Sequence, residues 1–157
     1  EARCAQGWSA LTYAAARGND GAVLSLLNHG ASVTGTTING STALHLAACG
    51  EQGNTTSNYC KVIQLLLGAG ADINALCHAG WSPLHESCYA DKGCETFLLL
   101  RSGADVRLRT WDKNTAAHFV CSDNYDSHGD TNLAIMCALG ADPSAINNEG
   151  EVPLHLA

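Results

Sequence analysis

The chain lacks the features typical of membrane, exported and nucleic-acid-binding proteins. No apolar run approaches the ~18 residues that cross a bilayer, and the opening EARCAQGWSA lacks the basic-then-apolar pattern of a signal peptide. Lys and Arg number only 8 against 15 Asp and Glu, which gives a formal net charge of −7. We therefore expect no membrane or export address within this sequence, no direct membrane contact and no nucleic acid held through its phosphates.

Paired metal-ligand cysteines are also absent. The 8 cysteines form no CxxC pair and are scattered through apolar segments, and the closest pair, Cys88 and Cys94, has a spacing unlike that of a zinc site. We expect reduced thiols and no metal, which favours an intracellular location, cytoplasmic or nuclear. Glycosylation sequons at Asn39 and Asn54 leave a secreted location open.

No catalytic motif stands out either. The sequence contains no GxSxG, no glycine-rich phosphate loop, and no Ser or Cys nucleophile beside a base outside its repeating pattern, so we expect neither enzyme activity nor a cofactor. The acidic stretch SDNYDSHGD suggests calcium, but a loop starting at Asp123 would need Gly and Glu where His128 and Ala134 stand. A solvated loop is the favoured interpretation.

What the chain does contain is an internal repeat. Five related segments start at Gly7, Gly40, Gly80, Lys113 and Gly150, and they read GWSALTYAAARG, GSTALHLAACG, GWSPLHESC, KNTAAHFVC and GEVPLHLA. A second signature recurs in phase with the first, as LLNHGAS, LLGAGAD, LLRSGAD and MCALGAD. Two separated motifs that recur together indicate one structural unit used several times.

Each unit has the pattern of two short helices. In STALHLAAC, Thr42 is a good helix N-cap and is followed by a face of leucine and alanine. In KVIQLLLGAG, a second apolar stretch stops at a glycine suited to left-handed backbone. Neither helix can bury its apolar face alone, so the core must form between stacked units.

This pattern resembles the ankyrin repeat, G-x-T-P-L-H-x-A-A followed by L-L-x-x-G-A-D-x-N. The resemblance implies an all-α solenoid of helix-turn-helix pairs joined by β-turn fingers, forming a single domain over 1–157. The repeats are expected at about 6–38, 39–78, 79–111, 112–148 and 149–157, the last being partial, with insertions between the helices near 50–60 and 122–130. Because the chain ends on an apolar stretch, we expect an excerpt from a longer array.

Some positions depart from the family pattern. Thr12 stands where the motif has His, Lys113 where it has Gly, Ala117 where it has Leu, and Val152 where it has Thr. Because Ala117 is small and Cys137 replaces a leucine, the fourth repeat is expected to be the least well packed.

Four histidines occupy one motif position. The resemblance implies that each bonds to the Thr or Ser three residues earlier and to finger backbone, so we favour a structural role over a catalytic or metal-binding one. The structural motif residues are Thr42, His45, Ser82, His85, Thr115, His118 and His155.

The resemblance also implies a partner-binding surface on the fingers and the concave face of the first helices. We expect the strongest contributions from Trp8, Trp81, Tyr89, Arg109 and Trp111, because Trp, Tyr and Arg dominate interface energetics. No tryptophan is expected on the helix faces that pack repeat against repeat, although the rings could instead lie flat on adjacent fingers. The full predicted set is Trp8, Arg17, Ile38, Ser41, Leu76, His78, Trp81, Tyr89, Arg109, Trp111, Asp112, Asn114, Asp123 and Ile146.

The sequence therefore predicts a non-catalytic module that binds a protein or peptide. Two alternatives stay open. One is the ankyrin segment of a larger protein, such as a ubiquitin-ligase substrate receptor, an ion channel or a multidomain enzyme, where it recruits or tethers. The other is a secreted, toxin-like array.

Overall fold

Eight helices and no strand make up the residues that the structure describes. The computed structural model describes residues 4–50, 58–121 and 128–153. In each unit a first helix is followed by a second. The helices in chain order are α1 (Ala10–Ala16), α2 (Asp20–Asn28), α3 (Ala43–Cys49), α4 (Tyr59–Gly68), α5 (Pro83–Tyr89), α6 (Gly93–Arg101), α7 (Ala116–Cys121) and α8 (His128–Ala138).

The helices form two stacked rows. The first helices α1, α3, α5 and α7 contact one another in order, as do the second helices α2, α4, α6 and α8, and the two rows pack together within each unit. This arrangement confirms the predicted all-α solenoid. None of the described helices has the length and apolar character needed to traverse a bilayer. The predicted insertions near 50–60 and 122–130 lie mostly outside the described residues. The last residues of the first insertion belong to α4, and those of the second belong to α8.

The core lies between the two rows. Because the alanines of the first helices are small, neighbouring helices can approach closely. Ala47 and Ala48 in α3, for example, have no exposed surface. Ala117 is buried in the fourth unit, whereas Cys137 is exposed, so only the first of these two departures lies in the core. The largest buried aliphatic side chains are Leu11, Val23, Leu44, Val62, Ile63, Leu66, Leu84, Leu99 and Met136.

Short polar contacts define the start of each first helix. Ser82 caps α5, where its backbone N–H donates to Nδ1 of His85 at 3.1 Å and its hydroxyl lies 2.8 Å from the same nitrogen. Thr42 with His45 and Thr115 with His118 repeat this arrangement. The predicted structural motif is therefore present in three units, and His155 lies outside the described residues.

The same histidines connect each first helix to the chain segment that leads into the next first helix. Because Nδ1 accepts a backbone N–H, the ring proton sits on Nε2, which donates to a carbonyl of that segment. His45 reaches the Trp81 carbonyl at 3.0 Å, and His85 reaches that of Leu108 at 3.1 Å. Thr12, which replaces His in the first unit, bonds only to Ser9. The first unit therefore lacks this connection.

The fingers form a ladder of their own. Each is a tight turn closed by backbone bonds, such as Cys77 N–H to the Trp81 carbonyl at 2.9 Å. Each also donates one backbone N–H to the preceding finger, for example from His78 to the Asn39 carbonyl at 2.9 Å. Ile38, Trp111 and Asn148 repeat this bond in the other fingers. The finger row is thus held at a fixed spacing by backbone as well as by helix stacking.

One finger is strained. The last residue of the turn has φ between 75° and 81° where it is glycine, and Lys113 adopts φ 62° at the same place. A left-handed conformation costs an L-residue with a side chain about 1–2 kcal/mol, and glycine avoids that cost. The finger of the fourth repeat therefore has the same backbone conformation as the others, and Lys113 in place of glycine makes it less stable.

Lys113→Gly should therefore stabilise the protein. We expect a gain of about 0.5–1 kcal/mol in the free energy of unfolding, measured by urea titration with an unchanged slope. Lys61→Gly, on an exposed position inside α4, is the matched control and should lose about 1 kcal/mol. A loss of stability in both variants would contradict the strain at Lys113.

The histidine contacts predict a loss of stability in mild acid. Burial lowers the pKa of His85 to about 4, and burial also lowers the pKa values of His45 and His118. The unfolded chain, with His pKa near 6.5, therefore binds more protons than the folded chain between these values, so stability present above about pH 6.5 is lost as the pH falls towards 4. His85 alone should cost about 2 kcal/mol between about pH 7.5 and pH 5.

The control for this prediction is His85→Thr, which copies the residue that the first unit carries as Thr12. Urea unfolding of both proteins at the two pH values isolates the His85 contribution from that of Glu86, whose pKa burial raises. The variant should be less stable at neutral pH but should lose less on acidification. Parallel pH profiles would show that His85 is not the titrating group.

Candidate protein-binding surface

Two open grooves lie where the fingers meet the first helices. The first groove has a volume of about 710 Å³ and the second about 280 Å³. Tyr89, at the end of α5, lines both. The first groove is lined by Asn39, Ser41, Cys77, His78, Ala79, Trp81, Glu86 and Tyr89. The second is lined by Tyr89, Asp112, Asn114, His118, Phe119, Asn147, Asn148, Glu149 and Glu151. The structure thus brings six predicted residues together: Ser41, His78, Trp81, Tyr89, Asp112 and Asn114.

An aromatic cluster forms the wall between the grooves. Trp81 stacks at a tilt on Phe119 of the next unit, with 4.7 Å between ring centroids. Tyr89 meets Trp81 edge-on at 5.3 Å and Phe119 at 5.9 Å. Trp81, just before the start of α5, therefore also contacts the next repeat, while Tyr89 remains 62% exposed. Within this cluster, Tyr89 is the ring most available to a partner.

Trp111 occupies a different environment. Its indole Nε1 donates to the carbonyl of His78 at 2.7 Å, and its ring lies beside Gly80, where a Cβ would come within 3.2 Å of the indole. The ring thus rests on the preceding finger, as the alternative interpretation of the tryptophans allowed. It is nevertheless 70% exposed, so it offers a large apolar face held in one orientation.

The first unit carries a separate aromatic group. Trp8 meets Tyr13 edge-on at 6.3 Å, and the Arg17 guanidinium lies 5.6 Å from the Tyr13 ring centroid. Neither Trp8 nor Arg17 lines the two grooves.

The remaining predicted residues lie outside both grooves. Ile38, Leu76 and Ile146 are exposed on the fingers or just before them. Arg109 uses its guanidinium to donate to the Ile146 carbonyl at 3.3 Å, so it links two fingers. Asp123 lies outside the described residues.

Glu86 and Phe119 are among the groove residues that were missed from sequence. Both stand six residues after the start of their repeat, at the position that Tyr13 holds in the first. The repeat alignment alone could have placed them on the concave helix face. Phe119 was hidden because the fourth block departs from the motif around it.

The charge of the grooves is negative. Among the described residues, neither lining set includes a lysine or arginine, whereas Glu86, Asp112, Glu149 and Glu151 all contribute acids. Burial raises the pKa of the Glu86 carboxyl. In the described part of the chain, no three His, Cys, Asp or Glu side chains are grouped as metal ligands.

Stacked helix pairs with a ladder of turns and a grooved concave face define a class of helical-repeat protein. The chain belongs to the ankyrin-repeat family. A family model of three ankyrin repeats matches residues 1–76, and a model of a single ankyrin repeat matches residues 79–111. Members of this family are generally protein–protein interaction modules and are typically non-catalytic.

Several known proteins are similar to the chain over this region. Ankyrin repeat and SOCS box protein 16 of Mus musculus is 40% identical over 95 residues, covering 60% of this chain and 21% of that protein. SMC5-SMC6 complex localization factor protein 1 of Bos taurus is 32% identical over 123 residues, covering 76% and 11%. Nuclear factor NF-kappa-B p105 subunit of Gallus gallus is 32% identical over 152 residues, covering 91% and 14%. The chain thus spans only a small part of each relative.

Replacement of Trp81, which lines the first groove, and of Trp111, which lines neither groove, should affect stability to different extents. Trp81→Ala should cost about 2–3 kcal/mol because it removes ring contacts between repeats, whereas Trp111→Ala should cost about 1 kcal/mol, for one hydrogen bond and little burial. Urea unfolding of both variants measures the difference. Equal losses would show that Trp81 does not hold the third and fourth repeats together.

Proposed function

We propose that this chain is a non-catalytic module that binds a protein or peptide along its two grooves, through the fingers and the first helices. The observation that carries the proposal is Tyr89, an exposed aromatic ring that lines both grooves and is fixed by Trp81 and Phe119. Aromatic residues of this kind supply much of the binding energy of protein interfaces.

Rigidity supports the proposal. The finger ladder and the histidine contacts fix the spacing between neighbouring units, so a partner that fits the grooves pays little to order them. An extended peptide that crosses the Tyr89 wall would touch two successive units. Its side chains would then occupy both grooves at once.

We further propose that the module recruits or tethers a partner for a larger protein. The relatives support this, because the similarity covers at most 21% of each of the three proteins named above. One of them has a SOCS box in its name, and another is named as a complex localization factor. An intracellular setting fits the seven cysteines with described side chains, none of which is in a disulfide.

Random dodecapeptides displayed on phage provide a test that needs no known partner. Peptides selected on the intact chain should bind the grooves, and Tyr89→Ala with Trp111→Ala should weaken them by at least about tenfold. Tyr89 and Trp111 are chosen because both are largely exposed, so their removal perturbs the fold less than removal of Trp81.

The matched control is Phe97→Ala, which removes an exposed aromatic ring from the outer helix α6. It should leave peptide affinity unchanged in fluorescence polarisation. If the control weakens binding as much as the double variant does, or if the double variant binds normally, the grooves are not the binding surface.

A further inference from the structure

Glu86 is the unexplained residue of the first groove. It stands in the first turn of α5, one helical turn before Tyr89, so the two side chains share a helix face. Its side chain is half-buried. Within the described part of the chain, no hydrogen bond or ion pair reaches its carboxylate. Because burial of an uncompensated charge costs free energy, a cation placed beside this half-buried carboxylate would be stabilising.

Among the residues that the structure describes, none forms an ion pair with this carboxylate. Lys92, at the start of α6, lowers the pKa of the Cys49 thiol whereas Glu86 raises it, yet no ion pair joins Lys92 to Glu86. Burial is accordingly the cause of the raised pKa of Glu86. Nothing in the fold described above requires an acid at this position.

The surroundings of Glu86 match a long basic side chain. Trp81 and Tyr89 line the same groove and present apolar ring surface, on which the methylene stem of a lysine or arginine packs well. Aromatic faces also attract cations directly. Asn39 and Ser41, on the preceding finger, add side-chain oxygens that can accept further hydrogen bonds.

We propose that the first groove receives a lysine or arginine side chain of the partner, with its cation paired to Glu86 and its stem against Trp81 and Tyr89. This inference rests on the proposed binding function. It adds to that function the chemistry of the residue that the groove selects.

The second groove extends the same preference. Asp112, Glu149 and Glu151 line it, and the one basic side chain among its described lining residues is His118, whose pKa is lowered by burial. Arg109 and Lys113 are nearby in sequence but line neither groove. A partner with a second basic residue on the far side of Tyr89 would therefore gain electrostatic complementarity.

The dodecapeptide display tests this inference when it is run with two baits. On the intact chain, the selected peptides should share a lysine or arginine at one position. On Glu86→Gln, which keeps the shape of the side chain, that enrichment should disappear. Peptides selected on the intact chain should bind the variant about 10- to 100-fold more weakly, as expected for loss of a charge-assisted contact.

Glu95→Gln is the matched control, since it removes the same charge from the outer helix α6. It should leave both the enrichment and the affinity unchanged, and thermal unfolding should show that all three proteins are folded. Replacing the shared basic residue in one selected peptide by norleucine should reproduce the loss, and exchange of lysine for arginine shows which cation fits better.

The possible failures are distinguishable. Selected peptides that need Tyr89 and Trp111 but carry neutral or acidic residues would overturn the basic preference and leave the binding function standing. A basic preference that persists on Glu86→Gln would overturn the role of Glu86. A display that enriches no peptide would count against the binding function and against this inference with it.

Discussion

Burial between neighbouring units is the constraint on which this structure depends. A helix of seven residues, such as α3 or α5, has little stability in water by itself. It persists because α1, α3, α5 and α7 cover one another's apolar faces and rest on the second row. Leu44 and Leu84 are buried within this stack. Every other feature, including the grooves, is positioned by this stacking.

Polar contacts then fix the geometry that stacking alone would leave loose. His45 and His85 each use one nitrogen for the cap of their own helix and the other for the segment that leads into the next first helix. These contacts hold the concave surface at a fixed spacing. Both nitrogens of each ring are therefore engaged, and burial lowers the pKa of both rings.

The fold could be predicted from the sequence because the same cap and helix pattern recurs in several units. Thr42, Ser82 and Thr115 stand at equivalent positions, and each forms the cap that its position predicts. Sequence was less informative about the surface. Trp81 and Phe119 belong to different units. An alignment of the units with one another shows equivalent positions, but it does not show which side chains of neighbouring units are in contact. The half-buried position of Glu86 likewise depends on side chains of more than one unit and could not be predicted from the repeat alignment.

The position of the helix-to-helix loops has a consequence for how such a protein can change. The second and fourth units have more residues between their two helices than the first unit has. The finger ladder keeps its backbone bonds across the longer units, as His78 to Asn39 and Asn148 to Asp112 show. Extra residues between the two helices of a unit therefore leave the spacing of neighbouring fingers unchanged.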